Sequence, residues 1–313
     1  MILVTGGAGF IGSNLVRTLV TDGHEVVVVD DADLAPNLGG VAVADHLGQD
    51  ELLARLDDGP AALAGVEAIL HQGACSDTTE QDEELLERTN VRYSIALYDA
   101  CQAAGVPLIY ASSASVYGTG EADDGVAVAA DRPLNGYARS KQRVDAYVAS
   151  RAPERTSQVV GLRYFNVYGP GEGQKGAMAS VAYQLHGQLA RTGTASIFGA
   201  GGGAGAGQHR RDFVFVEDVV AVVRWFLDHP EHSGTFNCGT GTSRTFLDLA
   251  EAVVAEAGGG EVRFIPFPAS LEGRYQPDTR ADLRRLRATG CDVAFTSLED
   301  GVRRYVAALD GRA

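Results

Sequence analysis

The sequence predicts an α/β fold, a doubly wound parallel sheet followed by a smaller C-terminal α/β part. Short runs of β-branched residues alternate with helical patterns through the first half of the chain, which is typical of β–α–β units. The second half is less regular and contains a glycine-rich stretch at 198–211. The predicted strands of the first half are ILVT (2–5), EVVVVD (25–30), VEAILH (66–71), PLIYAS (107–112) and QVVGLRY (158–164).

The segments between these strands carry apolar residues at helical spacing, most clearly at 11–22 and 82–104. In the second half we predict a loop at the glycine-rich stretch, a strand at DFVFV, a helix at EDVVAVVRWFLDH and a short strand at TFNCG. We expect Trp225 of that helix to pack in the core. The proline-rich run IPFPASLEGRYQPDT (265–279) has no regular pattern, and we interpret it as a binding loop.

Composition limits the classes of partner. The 313 residues include 26 Lys and Arg against 41 Asp and Glu, a formal net charge of −15. Such a surface disfavours nucleic acid and anionic membranes as partners. The four cysteines have no CxxC or metal-like spacing, which indicates free thiols in a reducing compartment and no metal site. No apolar run reaches the length of a membrane span and no signal-peptide pattern opens the chain, so we expect a cytoplasmic protein.

The first strand leads into a glycine pattern typical of dinucleotide binding. In VTGGAGFIG, the residues Gly6, Gly9 and Gly12 follow GxxGxxG spacing between a strand and a helix. Glycines permit a tight turn and close backbone approach to a pyrophosphate, and the helix N-terminus supplies free N–H groups. The second strand ends at Asp30, where a carboxylate would bind the adenosine ribose hydroxyls. A ligand-free glycine turn is the simpler alternative, but this context favours a Rossmann-type cofactor domain.

The same region predicts NAD rather than NADP. Asp31 follows Asp30, and no lysine or arginine occurs between Glu25 and Arg55. A ribose 2′-phosphate would meet two carboxylates and no cation there, which is unfavourable. We therefore predict that the cofactor is NAD.

A serine, a tyrosine and a lysine form the predicted catalytic group. YASSASVYG (110–118) follows the fourth strand and includes Ser113, and YARSK places Lys141 four residues after Tyr137. On a helix, the last two side chains lie on one face. A neighbouring ammonium and a positive nicotinamide ring would lower the pKa of the phenol, so that Tyr137 could accept an alcohol proton while hydride leaves. YxxxK also occurs on surface helices, but the order of the motifs favours the catalytic interpretation.

Together these motifs resemble the extended short-chain dehydrogenase/reductase family, whose Ser–Tyr–Lys triad corresponds to Ser113, Tyr137 and Lys141. Within that family the chain is similar to the epimerases of heptose nucleotides. The resemblance implies inversion of C6″ of an ADP-glycero-manno-heptose, from D-glycero to L-glycero, through a transient 6″-ketone. It also implies a homo-oligomer, a pentamer. The matching runs are TGGAGFIGSNLV, QGACSDTTE, YASSASVYG, VVGLRYFNVYGP, KGAMASVA, RRDFVFVEDV and IPFPASLEGRYQ.

The resemblance further implies a second acid/base at Lys175. In this mechanism the hydride returns to the opposite face of the ketone, so the sugar must turn and Tyr137 cannot serve both positions of the oxygen. The chain contains only two lysines, Lys141 and Lys175. Arginine stays protonated whereas the pKa of a lysine can be lowered, which suits an acid/base. The alternative is that Lys175 clamps a diphosphate, which an arginine does at least as well.

The motifs and the resemblance together predict the residues of the site. Arg211 is expected to bind the diphosphate, with an ion pair to Asp212 or Asp218 as an open alternative. The predicted catalytic residues are Ser113, Tyr137, Lys141 and Lys175. The predicted cofactor-binding residues are Gly6, Gly9, Phe10, Ile11, Gly12, Asp30, Asp31, Gln72, Gly73, Ala74, Ser76, Asn90, Tyr137, Lys141 and Val167. The predicted substrate-binding residues are Ser113, Asn166, Lys175, Ala177, Gln184, Phe198, Arg211 and Tyr275.

The chain also departs from the enzymes that it resembles. They generally use NADP and carry lysines after the second strand, where this chain has Asn37 and Gln49. The local chemistry therefore still favours NAD. Ala177 and Gln184 stand in place of a serine and a histidine, so the sugar or the nucleotide could differ. An NDP-hexose 4-epimerase is the alternative function, and a non-catalytic NAD-binding regulator is a more distant one.

These predictions divide the chain into two parts. We assign residues 1–168 to an NAD(P)-binding domain, to which the chain returns at about 211–240. Residues 169–313 are assigned mainly to substrate binding.

Overall fold

The computed structural model describes residues 1–118, 131–272 and 275–312. The strands are β1 Ile2–Thr5, β2 Val26–Val29, β3 Asp45–Leu47, β4 Ala68–His71, β5 Leu108–Ser113, β6 Val159–Tyr164, β7 Asn166–Tyr168, β8 Thr194–Phe198, β9 Arg210–Arg211, β10 Phe213–Phe215, β11 Gly234–Cys238, β12 Arg244–Thr245 and β13 Glu261–Ile265. The helices are α1 Phe10–Thr21, α2 Ala35–Leu38, α3 Gln49–Leu56, α4 Glu83–Leu86, α5 Tyr93–Ala104, α6 Gly136–Ser150, α7 Val181–Thr192, α8 Val216–Asp228, α9 Phe246–Glu256, α10 Arg284–Ala288 and α11 Leu298–Leu309.

A seven-stranded sheet organises the molecule, in the order β11-β6-β5-β4-β1-β2-β3. All of its pairings are parallel. Strand order reverses at β1, because β2 lies on one side of it and β4 on the other. The loops that follow β1, β2 and β4 therefore meet at the carboxyl edge of the sheet, the usual binding crevice of open α/β folds.

Both faces of this sheet are covered, which explains the uninterrupted apolar runs of its strands. Ile2 and Val4 of β1 pack into one hydrophobic cluster with residues of α1 and α8. Leu3, which points to the opposite face, packs into a second cluster with residues of α5. Successive residues of a strand point to opposite faces, so a strand buried on both sides carries no polar alternation.

The C-terminal part has its own core. β8 pairs in parallel with β13, and residues of α7, α9 and α11 form a third hydrophobic cluster beside this pair. Two further pairs, β7 with β10 and β9 with β12, connect this part to the large sheet region. β11 then returns to the large sheet and pairs with β6.

The structure confirms the predicted fold class and the five strands of the first half, with boundaries shifted by at most two residues. The helix predicted at 82–104 is interrupted by a π-helical turn at Glu87–Arg92. β3 was not predicted, because its three residues are largely exposed and have no apolar run. Trp225 is only partly buried and stacks on His229, with ring centroids 4.0 Å apart.

The second half agrees in outline with its prediction. DFVFV contains β10, β11 begins one residue before the predicted strand TFNCG, and α8 lies within one residue of the predicted helix. The run at 265–279 overlaps the end of β13 and a short 3₁₀ turn, Ala269–Leu271, and its residues 273 and 274 lie outside the described residues. Among the described residues no helix has both the length and the apolarity to cross a membrane, and no cluster of three potential metal ligands occurs.

Candidate active site

The glycine turn after β1 has no room for side chains. Gly6 has a φ of +64°, and a Cβ there would lie 2.5 Å from the backbone nitrogen of Gly73. A Cβ on Gly12 would lie 2.0 Å from the carbonyl oxygen of Gly6. α1 begins at Phe10, and its N-cap Gly9 leaves the first N–H groups without a side-chain cap. This cradle of bare backbone and helix N-terminus fits a dinucleotide pyrophosphate.

Two carboxylates follow β2 beside this turn. Asp30 Oδ2 accepts a hydrogen bond from Ala8 N at 3.0 Å, which ties the end of β2 to the glycine turn. Asp31 Oδ1 accepts a hydrogen bond from Gln49 N at 2.9 Å. The position of Asp30 next to the turn suits hydrogen bonding to a ribose diol.

A cation reaches the same segment from a distant part of the sequence. Arg17 of α1 donates a hydrogen bond to the carbonyl oxygen of Asn37. His46 Nε2 also lies 2.8 Å from the carbonyl oxygen of Asp30. Although residues 25–54 contain no lysine or arginine, the positive charge of Arg17 therefore lies beside this segment. Arg17 could not be found from that interval because α1 precedes it in the chain.

A cavity of about 800 Å³ runs from the glycine turn to the C-terminal part. Most of the predicted site residues line it: Gly6, Gly9, Phe10, Ile11, Gly12, Gln72, Ala74, Ser76, Ser113, Tyr137, Lys141, Asn166, Val167, Lys175, Ala177, Phe198 and Tyr275. Sequence reasoning missed several residues that also line it, among them Thr78, Tyr164, Met178 and Leu249. Thr78, Tyr164 and Met178 lie in runs that carry the resemblance, although none of them has a predicted role, whereas Leu249 lies in none of these runs and only the fold brings it to the cavity.

Six predicted site residues do not line the cavity. Two of them are Asp30 and Asp31, beside the glycine turn, and the other four contact neighbouring segments. Asn90 binds the backbone of Cys75 in both directions, accepting at 2.8 Å and donating at 3.0 Å, so it holds the loop after β4. Gln184 donates to the carbonyl oxygen of Gly176 at 2.8 Å. Gly73 packs against the turn at Gly6. The fourth, Arg211, is described below.

Helix α6 presents the predicted catalytic pair. Asn135 caps the helix by accepting a hydrogen bond from Ala138 N at 2.8 Å, which fixes the first turn. Tyr137 and Lys141, four residues apart, both face the cavity. Lys141 is buried, and its Nζ donates to the carbonyl oxygen of Ala111 at 2.8 Å.

Burial governs the ionisation of this pair. Burial raises the pKa of Tyr137, and the hydrogen bond with Ser113 opposes that rise. Burial also lowers the pKa of Lys141 to about 8. Among the protein's own groups, desolvation outweighs the other effects on the pKa of Tyr137. That a neighbouring ammonium and a positive nicotinamide ring together lower this pKa stays a prediction for the cofactor-bound enzyme. Ser113 remains where it can bind the oxygen that Tyr137 binds.

Lys175 lines the same cavity from a different segment of the chain. It lies on a 3₁₀ segment, Gly173–Met178, and its Nζ is 5.7 Å from the centroid of the Phe10 ring. Burial lowers the pKa of Lys175, while the nearby Glu172 raises it. A lowered pKa is what an acid/base at neutral pH requires, and it weakens a permanent charge clamp.

Arg211 does not form either of the ion pairs that the sequence left open. Asp212 accepts hydrogen bonds from Thr240, Gly241 and Ala281, and Asp218 accepts them from Thr296. Arg211 is buried and donates to the carbonyl oxygens of Arg210 and Gln276, at 2.7 and 2.8 Å. Its guanidinium stacks on Tyr275, 4.6 Å from the ring centroid. The hydrogen bonds of Arg211 to other described residues thus go to carbonyl oxygens, and a guanidinium with neutral partners can still bind an anionic ligand.

An aromatic cluster closes this end of the site. Phe198 packs edge-on to Phe267 and Tyr275, with ring centroids 5.5 and 6.5 Å apart, and His209 stacks on Phe267 at 5.2 Å. The glycine-rich stretch lies on the Phe267 ring, where a Cβ on Gly201 would come within 2.5 Å of the Phe267 side chain. Phe267 and His209 were not predicted, although both lie in runs that the sequence singled out.

Comparisons with known proteins agree with this geometry. The family model described as the NAD dependent epimerase/dehydratase family matches residues 2–239. An ADP-L-glycero-D-manno-heptose-6-epimerase of Alkalilimnicola ehrlichii is 49% identical over 313 residues, covering 99% of this chain and 97% of the relative.

Two solved structures extend the comparison. The enzyme of the same description from Helicobacter pylori has a TM-score of 0.83 at 30% identity, covering 99% of this chain and 96% of that one. A UDP-glucose 4-epimerase of Thermus thermophilus, solved with NAD, has a TM-score of 0.79 at 26% identity, covering 100% and 99%.

Replacing Gly12 by alanine tests the cradle. Because the added Cβ would lie 2.0 Å from the Gly6 carbonyl oxygen, the turn must shift away from its ligand. We expect Gly12→Ala to weaken nicotinamide dinucleotide binding by at least ~10-fold, which corresponds to about 1.4 kcal/mol. The measurement is nucleotide released from the denatured protein, together with titration of the stripped protein. Gly187→Ala is the matched control, since its Cβ meets only the flexible end of Arg191. Normal nucleotide content in Gly12→Ala would contradict the prediction.

The lowered pKa of Lys141 predicts a pH dependence of stability. The pKa of Lys141 is 10.5 in the unfolded chain and about 8 in the folded protein. Between pH 8 and pH 10.5 the unfolded state therefore binds more protons than the folded state. Stability from this group therefore rises with pH across that window. We expect the difference in unfolding free energy, wild type minus Lys141→Met, to rise between pH 8 and 10.5, measured by urea denaturation of ligand-free protein. A flat difference would show that Lys141 keeps an ordinary pKa.

Proposed function

Because this chain belongs to the NAD dependent epimerase/dehydratase family, we propose that it inverts C6″ of an ADP-glycero-manno-heptose, from the D-glycero to the L-glycero configuration. The 49% identical relative carries that activity in its name and aligns over nearly the whole of both chains. This identity agrees with the resemblance found in the sequence motifs. The prediction of NAD is confirmed at the level of the family, which is NAD-dependent.

The observation that carries the proposal is the arrangement of two proton-transfer groups in one cavity. Tyr137 enters it from α6, and Lys175 enters it from the loop after β7. Inversion at a secondary alcohol by oxidation and reduction needs a proton handler for the oxygen in each of its two orientations. A single acid/base would serve only one of them.

The residues divide the work as follows. NAD, when held by the glycine turn and Asp30, would supply the hydride chemistry of both half-reactions. Tyr137 takes the proton of the C6″ hydroxyl while Ser113 holds the same oxygen, and Lys141 supports the phenolate from the same helix face. After the sugar has turned, Lys175 donates or accepts the proton at the second oxygen position. Its burial next to Phe10 keeps the amine accessible in its neutral form.

The far end of the cavity holds the nucleotide in this proposal. Arg211 binds the diphosphate, and its buried guanidinium, stacked on Tyr275, supports this role. Phe198 and Asn166 complete the contacts to the substrate. Residues 169–313 then contribute mainly to substrate binding and residues 1–168 to cofactor binding, with the return of the chain at 211–240. A homo-oligomer, as the resemblance implies, completes the proposal, and sedimentation analysis tests it.

The decisive assay is incubation with ADP-D-glycero-β-D-manno-heptose, with the C6″ configuration read by NMR. We expect conversion to a mixture of both C6″ epimers without added cofactor, since the NAD stays bound. UDP-glucose is the matched control substrate, and its C4 should remain unchanged. Turnover of UDP-glucose at C4 without inversion of the heptose would overturn the proposal in favour of a hexose 4-epimerase. The same preparation, denatured, identifies the bound nucleotide as NAD or NADP.

Substitution of Lys175 separates an acid/base from a charge clamp. We expect Lys175→Met and Lys175→Arg both to lower kcat by at least ~100-fold, since removal of a general acid/base typically costs 10²–10⁴. Bound cofactor should be unchanged. Gln174→Arg, an exposed neighbour in the same loop, is the control for added bulk and charge. Near-normal turnover of the arginine variant would reduce Lys175 to a clamp.

A further inference from the structure

The loop that carries Lys175 contains one short 3₁₀ segment, Gly173–Met178, and is otherwise irregular. It comprises residues 169–180, between β7 and α7, and we call it the Lys175 loop. Three of its glycines, Gly169, Gly171 and Gly176, have positive φ angles of +144°, +96° and +54°. Glycines at such angles leave the unbound chain many alternatives, so the loop needs outside contacts to hold one conformation.

The first outside contact comes from α1. Asn14 Nδ2 donates to the carbonyl oxygen of Phe10 at 2.9 Å and to that of Pro170 at 2.8 Å. One amide group therefore joins the helix that begins at the glycine turn to the start of the Lys175 loop. Phe10 is also the residue whose ring lies 5.7 Å from Lys175 Nζ.

The second contact comes from the segment after β2. Asn37 Nδ2 donates to the carbonyl oxygen of Ala8 at 2.9 Å and to that of Gly171 at 3.1 Å. Ala8 belongs to the glycine turn itself, and its N–H is held by Asp30. Arg17 binds the carbonyl oxygen of Asn37 and so fixes its backbone.

We propose that Asn14 and Asn37 are positioning residues, which fasten the Lys175 loop to the dinucleotide turn and thereby place the Lys175 amine for proton transfer. The catalytic part of this inference rests on the proposed function. Each amide spans two carbonyl oxygens. One lies on the loop, and the other lies on the turn at Ala8 or at the start of α1 at Phe10. A carboxylate of the same shape has no N–H to offer either oxygen. The position of the second proton handler is thus set by the cofactor half of the molecule.

Further contacts hold the loop without involving Asn14 or Asn37. Glu172 is fully buried and accepts hydrogen bonds from Gly169 N at 3.3 Å and from Ser180 N and Oγ at 2.5 and 2.7 Å. These bonds close the loop on itself. Gln184 holds the carbonyl oxygen of Gly176 from α7. With these contacts intact, loss of one asparagine should loosen the loop without unfolding it.

The proposal predicts a specific pattern of kinetic effects. Neither Asn14 nor Asn37 lines the cavity, and both bond to carbonyl oxygens of the turn or of α1 rather than to the N–H groups that would bind a dinucleotide. We therefore expect Asn37→Asp and Asn14→Ala to lower kcat by about 10-fold, since a misplaced catalytic group is costly, with KM and bound cofactor within about 2-fold of wild type. Asp33→Asn is the matched control, because Asp33 lies in the same segment as Asn37 and its carboxylate bonds only locally, to Ala35 N.

Hydrogen–deuterium exchange of the holoenzyme supplies a readout that does not depend on turnover. Loss of one bridging amide should speed exchange of peptides covering 169–180 by roughly 5-fold, as expected for a lost hydrogen bond, with no change in α6. The Asp33 control should match wild type. Unchanged exchange in both asparagine variants overturns the proposal, and so does faster exchange with kcat within 2-fold of wild type.

The two hypotheses fail in distinguishable ways. If the wild-type protein does not invert the heptose, the proposed function fails. The exchange experiment still decides whether the two amides hold the loop.

Discussion

The close backbone contact at the carboxyl edge of the sheet is the constraint on which the rest of the site depends. Gly12 packs against Gly6, and Gly6 packs against Gly73 of the loop after β4, at distances that exclude any side chain. This contact joins α1, β1 and β4 at the point where strand order reverses. The turn can therefore present bare N–H groups at a helix N-terminus, and every other functional element is placed relative to it.

The distribution of basic residues follows their chemistry. Arg163 is fully buried, and its guanidinium binds Asp131 through two hydrogen bonds, at 3.0 and 2.8 Å, and Asp145 at 2.9 Å. Such a network requires a charge that survives desolvation, which arginine supplies. The two lysines instead face the cavity, and burial lowers the pKa of both. The buried ion-pair network thus uses an arginine, which keeps its charge, and the cavity uses lysines, whose amines can titrate.

The buried network also supports the catalytic helix. Asp145 lies one turn beyond Lys141 on α6 and accepts hydrogen bonds from Tyr110 and Ser112 of β5. These bonds join α6 to the strand that ends at Ser113, so the members of the triad are held by one continuous set of contacts. The buried carboxylate of Asp145 is tolerated because its charge is paired with Arg163 and its oxygens accept hydrogen bonds.

The strands that are buried on both faces could be predicted from the amino-acid sequence alone, because such strands appear as uninterrupted apolar runs. The residues that follow these strands could also be predicted to lie together at the site, since the carboxyl ends of parallel strands meet at one edge of the sheet. Other features depend on the folded structure. Burial raises the pKa of Tyr137, Asn90 and Gln184 hold loops, and Arg17 approaches Asn37. Desolvation and contacts between residues far apart in the chain have no local pattern. The amide of Asn37, 134 residues from Gly171, is one such contact.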